Sequence, residues 1–248
     1  MVTSLSIGTG GLGRFANTMW TIAGTIGIAT KNNMQYGFPD WVIKDNLLFG
    51  GQADRMKDYF VNPLPVIPDG RQWQEYPYFW GYKDIEIKGD WNIHAHLQSP
   101  KFFEHCMDLV RHYFRMKDEP PQNDCVAIHF RAGDYTEGGY HPRCSTEYYR
   151  EAIKLMPANS TYIVFTDDVE AAKERIGLNC EYRSSFYLDD FRLMKRCRNF
   201  IIANSSFSAM AALLGEHEEK KVVAPKRWFG EGVDLETKDI YHKDWIIL

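Results

Sequence analysis

The sequence is poor in cysteine and shows no pattern among the few it has. Cys106, Cys125, Cys144, Cys180 and Cys197 are odd in number, widely spaced and never arranged as C-x-x-C. That spacing argues against a disulfide framework or a zinc ribbon and for reduced thiols in a cytoplasmic protein. Long apolar runs are also missing. The longest, MWTIAGTIGIAT, is about a dozen residues, whereas a bilayer-spanning helix needs about 20. No basic segment, apolar stretch and small-residue cleavage site follow one another at the N-terminus, so neither a membrane span nor a secretory leader is expected. Positive charge is not in surplus: the formal net charge is −4. A broad nucleic-acid surface is thereby excluded, although one local cationic pocket can still hold a small anion. Internal repeats and low-complexity tracts are absent as well, which removes solenoids and disordered arrays.

What is present fits an ordinary globular chain: 44% hydrophobic and 25% charged residues over 248 positions, enough for two lobes of roughly 100 to 150 residues each with its own core. Aromatic residues reach 15%, with Trp20, Trp41, Trp73, Trp80, Trp91, Trp228 and Trp245 spread along the chain. Such side chains wall sugar sites but pack cores more often. VTSLSIG reads as a first strand, and Met19, Ile22, Ala23 and Ile26 repeat at helical spacing over about residues 17 to 30. Residues 36 to 90 are rich in Pro, Gly and aromatics. LQSPKFFEHCMDLVRHYFRM then predicts a helix, with Pro100 near its start. The charged, Pro-doubled KDEPPQND places a lobe boundary at 118/119, giving lobes 1–118 and 119–248, with the last residues able to pack back on the first lobe. Beyond it, CVAIHF, TYIVFTD, NFIIAN and KKVVAP read as strands alternating with the helices TEYYREAIKLM, VEAAKERIG, FRLMKRCR and FSAMAALLG. The expected class is α/β, with a mostly parallel sheet covered on both faces.

Gly8, Gly10 and Gly13 satisfy G-x-G-x-x-G after a short apolar run, the spacing of a dinucleotide-binding turn. The same stretch reads G-R-F-A-N from Gly13. In the second lobe, His129-Phe130-Arg131-Ala132-Gly133-Asp134-Tyr135 ends the first strand, where ligands of open α/β sheets sit. Arg131 has a fixed fork of donors suited to phosphate oxygens, with a surface ion pair as the plain alternative. His129 fits a ligand contact or a structural role equally. Asn204, Ser205, Ser206 and Phe207 join a buried strand to an Ala- and Leu-rich helix. Their N–H groups and hydroxyls are placed for a phosphate at a helix N-terminus, or for simple capping. Thr166-Asp167-Asp168 ends another strand; a helix cap formed by Asp167 with Glu170, or a contact to nucleotide base or ribose, is preferred over a metal. Leu188-Asp189-Asp190 reads as a solvated helix start. His94 and His96 would share one face of an extended NIHAHL but lack an identifiable third metal ligand.

Together GRFAN with the following TMW, LQSPKFF, HFRAGDY, TEYYREAI, FTDD, DDFRLMKRC leading into FIIANSSFSAMAALL, and VVAPKRWF resemble the GDP-fucose-dependent α-1,2-fucosyltransferase family, in family order from about Gly10 to Phe229. The chain departs from the family pattern in three places: Ala132 stands where a second arginine is usual, Ala16-Asn17-Thr18 where Gly-Asn-Gln is usual, and Ala209 and Met210 where two tryptophans are common. The resemblance implies two Rossmann-like lobes in a GT-B-like arrangement. The first lobe would be on the acceptor side, the second would hold GDP-fucose, and no metal would be obligatory. A glycan hydroxyl, with α-1,2 linkage to galactose, would displace the diphosphate with inversion. The implied site comprises Gly13, Asn17, His129, Arg131, Thr166, Asp167, Asp168, Asn204, Ser205, Ser206 and Phe207. Arg131 stabilises the leaving group, and Asp134, Glu137 or His141 is the candidate base. A transferase with another nucleotide-sugar donor, or a non-catalytic glycan- or nucleotide-binding relic, are the alternatives. The dinucleotide reading fails because no second strand ends in Asp or Glu about 20 residues beyond the glycines; Asp40 lies too far along.

Overall fold

The computed structural model describes residues 1–8, 13–43 and 54–248; Gly10 of the glycine turn lies outside the described residues. The chain forms two compact units, one of Met1–Lys117 with Glu236–His242 and one of Asp118–Leu235 with Lys243–Leu248. The chain end is thus divided, with 236–242 in the first unit and only the last residues in the second.

In the first unit, β1 is Val2–Thr3 alone, and Leu5–Gly8 turns into a short 3-10 helix where the sequence predicts a continuing strand. The Asn92 side chain is the reason: its Oδ1 captures the Leu5 N–H at 2.8 Å, removing it from any ladder. Helix α1 spans Phe15–Lys31 and is buried nearly all round. Thr21, Thr25 and Thr30 survive in so apolar a setting because their hydroxyls donate to the carbonyls of Asn17, Thr21 and Ile26 on the preceding turn. The pair β2 (Val42–Ile43) and β3 (Asp54–Arg55) is antiparallel. β4 (Gln74–Tyr76) and β5 (Trp91–Ile93) form a parallel sheet in the order β1-β5-β4. The predicted long helix is broken into 3-10 turns at Pro100–Phe102 and Glu104–Cys106, followed by a short α2, Met107–Tyr113. Packing overrides periodicity here: Phe103 is wholly buried, edge-on to Trp20 at 5.6 Å, and the Phe102 carbonyl presses against Gly27 of α1.

The second unit contains β6 (Asn123–Phe130), α3 (Thr146–Lys154), β7 (Tyr162–Thr166), α4 (Val169–Ile176), β8 (Glu181–Arg183), α5 (Tyr187–Met194), β9 (Cys197–Ile201), α6 (Ser206–Leu214), β10 (Val222–Ala224) and β11 (Ile246–Ile247). Its six strands pair in parallel in the order β11-β10-β9-β6-β7-β8. Val126, Ile128 and Phe130 alternate into a core with Tyr148, Tyr149 and Ala152 of α3 and Ala172 of α4.

Candidate functional site

Strand register delivers the candidate residues to one end of the second unit. Phe130 pairs with Thr166 and Ile128 with Ile201, so Arg131, Asp167 and Asn204 leave the sheet at the same level. From β6 the chain builds outward to β7 and β8, then returns to β9 on the other side. That reversal beside β6 is the switch point at which open parallel sheets take ligands, outside the carboxyl ends of the strands.

Arg131 is held in a fixed pose. Its Nη1 lies 2.8 Å from Asp167 Oδ2, its Nη2 2.8 Å and Nε 3.2 Å from Asp134 Oδ1, and its guanidinium carbon 5.8 Å from the Tyr135 ring centre. A guanidinium has five N–H groups; the two outer ones not used in these contacts are left for a ligand, and the side chain is 21% exposed. Asp167 also accepts the Ala132 N–H at 2.7 Å. Gly133 makes this closeness possible, since a Cβ there would stand 2.6 Å from Asp167 Oδ2. The methyl of Ala132 turns into the core beside Tyr148 and Tyr149.

His129 faces the opposite layer from Phe130. Its Nδ1 shares a 2.9 Å hydrogen bond with Ser208 Oγ, and its ring lies 5.6 Å from that of Phe207. Burial first, and the Arg131 charge second, push the imidazole down to about 3. The ring is neutral near pH 7 and fastens β6 to α6, the structural one of the two roles its residue type allowed. Tyr135 makes a second tie, its hydroxyl donating to the Asn204 carbonyl at 3.0 Å. The arginine loop and the α6 N-terminus are therefore brought together.

Several candidates have inward duties. Both N–H groups of the Asn204 amide are taken by the carbonyls of Pro142 and Trp228, at 3.0 and 2.9 Å, so the side chain braces loops and has no donor left for a phosphate. Asp167 is not the helix cap; Asp168 is, accepting the Ala171 N–H at 3.1 Å, while Thr166 Oγ1 accepts the Asp168 N–H at 3.0 Å. Glu137 is paired with Arg175 of α4, which leaves it a poor base. His141 stacks on Tyr135 at 5.0 Å and lies against Phe229 at 5.5 Å. Ser205 caps α6, its Oγ accepting the Phe207 N–H at 3.4 Å, with Ser206 opening the first turn. The sequence reading missed Arg143, whose Nε and Nη2 donate to the carbonyls of Tyr135 and Ala132 at 2.7 and 3.4 Å. No spacing signal singled it out.

In the first unit, Gly13 takes a left-handed φ of +97° and sits tightly against Asn17, whose Oδ1 accepts from Gln98 Nε2 at 2.9 Å. His94 is exposed and His96 half-buried. Among the described residues no cluster of three His, Cys, Asp or Glu side chains is arranged to hold a metal ion.

Residues 70–248 match the model of Glycosyl transferase family 11. The chain belongs to that family. Two Escherichia coli proteins are similar to this family 11 chain. The O-antigen biosynthesis glycosyltransferase WbnK is 33% identical over 177 residues, covering 58% of this chain and 57% of that protein. An alpha-1,2-colitosyltransferase is 29% identical over 193 residues, covering 65% and 62%. The matched region thus spans less than two thirds of either relative. Among solved structures, the fucosyltransferase NodZ from Bradyrhizobium shares the fold, with a TM-score of 0.50 at 14% identity over 86% of this chain and 92% of that one. No helix among the described residues is long and apolar enough to cross a membrane.

Proposed function

We propose that this family 11 protein is an inverting glycosyltransferase that moves L-fucose from GDP-fucose to a glycan hydroxyl, forming an α-1,2 linkage to galactose. The observation that carries the reading is the meeting of Arg131 with the N-terminus of α6 at the sheet's switch point, tied by His129–Ser208 and Tyr135–Asn204. Breaking the bond between fucose C1 and the diphosphate oxygen leaves negative charge on GDP. The outer N–H groups of Arg131 and the N–H groups opening α6 are preorganised donors for that charge. The acceptor hydroxyl attacks C1 from the opposite face as the C1–O bond to the diphosphate breaks, the bonding pair leaves with GDP, and the hydroxyl proton passes to solvent water on that face. Asp134, hydrogen-bonded twice by Arg131, is assigned to orienting the guanidinium rather than to taking that proton. Because the hydrogen-bond donors to the leaving diphosphate come from Arg131 and the α6 amides, transfer is expected to persist in a chelator. The free state of all five cysteines supports a reducing, cytoplasmic setting.

The test compares GDP, GDP-fucose, UDP and NAD by thermal shift, followed by transfer from GDP-fucose to a β-galactoside. GDP and GDP-fucose are expected to raise the midpoint selectively. Arg131→Ala is expected to lower transfer on the order of a hundred- to thousandfold; near-unchanged turnover would remove Arg131 from the mechanism. The colitosyltransferase relative favours one second reading, a GDP-linked 3-deoxy analogue of fucose as donor. Faster transfer from GDP-colitose than from GDP-fucose would select it.

A further inference from the structure

The turn that follows Arg131 is held by another arginine, one that the donor chemistry does not use. Residues 132–135 form a four-residue turn, closed by the Tyr135 N–H on the Ala132 carbonyl at 2.9 Å. Its third residue, Asp134, accepts from Nε and Nη2 of Arg131, so the aim of that guanidinium follows the shape of the turn. Arg143 reaches both ends of it: Nε donates to the Tyr135 carbonyl at 2.7 Å and Nη2 to the Ala132 carbonyl at 3.4 Å. We infer that Arg143 is a positioning residue, a two-pronged strut that fixes the turn and, through Asp134, sets the pose of Arg131.

The base of the strut is itself fixed. Residues 136–142 loop out and come back, the Thr136 N–H donating to the His141 carbonyl at 3.3 Å, and this returns Arg143 to the turn. On one side of it the Pro142 carbonyl accepts from Asn204 Nδ2 at 3.0 Å. On the other, the Cys144 thiol lies 3.4 Å from Asn204 Oδ1, and the Cys144 carbonyl accepts from Arg175 Nη1 at 3.2 Å. The backbone flanking Arg143 is therefore tied to the β9–α6 junction and to α4. The side chain is half-buried, and its partners among the described residues are the two neutral carbonyls, with no carboxylate opposite it. Hydrogen bonds from a charged donor are about twice as strong as neutral ones. A planar fork also holds two acceptors in a fixed relation, which the compact ammonium of a lysine does not. Asp134 is half-exposed, so a turn free to flex would carry it outward and leave Arg131 paired with Asp167 alone.

The effect on turnover rests on the proposed glycosyl transfer; the strut itself does not. The Nε–H NMR signal of Arg131, identified by its disappearance in Arg131→Lys, is followed together with transfer kinetics in Arg143→Lys and Arg143→Gln. In both variants exchange of that N–H with water is expected to accelerate about tenfold or more, and kcat to fall about tenfold, since misplacement by about 1 Å can cost on the order of a hundredfold. KM for GDP-fucose is expected to change by about threefold or less, because the developing charge of the transition state depends on aim more than the bound ground state does. Retained amide signals from β7 and α4 certify that each variant is folded. Unchanged exchange at Arg131 overturns the strut, and an unaltered kcat beside faster exchange overturns its positioning role. Full retention of both readouts in Arg143→Lys with their loss in Arg143→Gln assigns the effect to charge and overturns the fork. If the parent protein transfers from no GDP-sugar, the proposed function falls, and the Arg131 signal alone decides the strut.

Discussion

A guanidinium set between two carboxylates brings direction rather than surplus charge. Arg131 with Asp134 and Asp167 sums to one negative charge, so an arriving diphosphate meets two well-aimed N–H groups in a field that opposes it. Replacing Asp134 with Asn lifts part of that opposition and loosens the arginine. GDP is expected to bind a few-fold tighter in low salt, while kcat falls about tenfold or more. A general base at Asp134 would instead give unchanged GDP binding and loss of the acid limb of the pH–rate profile. His129 supplies a second measurable effect. With its folded pKa at about 3 and an unfolded value near 6.5, the unfolded chain binds the extra proton between those limits. Stability is therefore full above about pH 6.5 and declines as the pH falls toward 3. His129→Asn should flatten that slope between pH 5 and 7, where most carboxylates stay charged, as read by urea midpoints; an equal slope in both proteins would contradict the buried neutral ring. The donor chemistry of Arg131 and the capping position of Ser205 were legible in the sequence because residue type and strand-end position carry them. His129, Asn204 and Asp167 have the same ligand-like chemistry, yet their polar atoms are turned to protein partners. Side-chain direction is set by the strand pleat and by neighbours far along the chain, so residue type alone could not show it.

Among the elements, legibility follows length and burial. The long α1 and the apolar strands β6, β7 and β9 were plain from periodicity, whereas β8 and β11, edge strands of three and two residues, carry too few side chains to register. The helix expected from Leu97 onward failed for a different reason. The approach of residues 97–103 to α1 needs a particular backbone path, with Leu97 at a positive φ of 51° and the Phe102 carbonyl against Gly27. A Cβ at Gly27 would stand 1.9 Å from that oxygen. Helix propensity favours Gly27→Ala by about 1 kcal/mol, but overpacking against backbone costs about 1–3 kcal/mol or more. A net loss is expected, seen as a lower thermal midpoint of the first unit; a stabilised variant would mean that α1 and the 97–103 segment can move apart. At α6 the effect is smaller. Ser205→Ala removes the cap and should cost about 1 kcal/mol, and it should also weaken GDP binding if that helix end meets the phosphates.

At the scale of the whole molecule, the proposed donor site lies in the second unit, although the most conspicuous glycine motif lies in the first. Gly8-x-Gly10-x-x-Gly13 precedes α1 as a dinucleotide turn would, but β1 is only two residues long, and Gly13 is pressed against Asn17. The six-stranded sheet, in contrast, gathers Arg131, Asp167 and the α6 terminus at its reversal point. Ligand linkage turns this asymmetry into a measurement. A ligand at a hundredfold excess over its Kd stabilises the folded state by about 2.7 kcal/mol, and the amides nearest the contact slow their exchange most directly. Hydrogen exchange with GDP is expected to protect residues 131–135, 166–168 and 204–208, with NAD giving no protection at equal concentration. Protection by NAD confined to residues 8–17, with none at the end of β6, would reverse the assignment and return the glycine turn to the dinucleotide role that its spacing suggests.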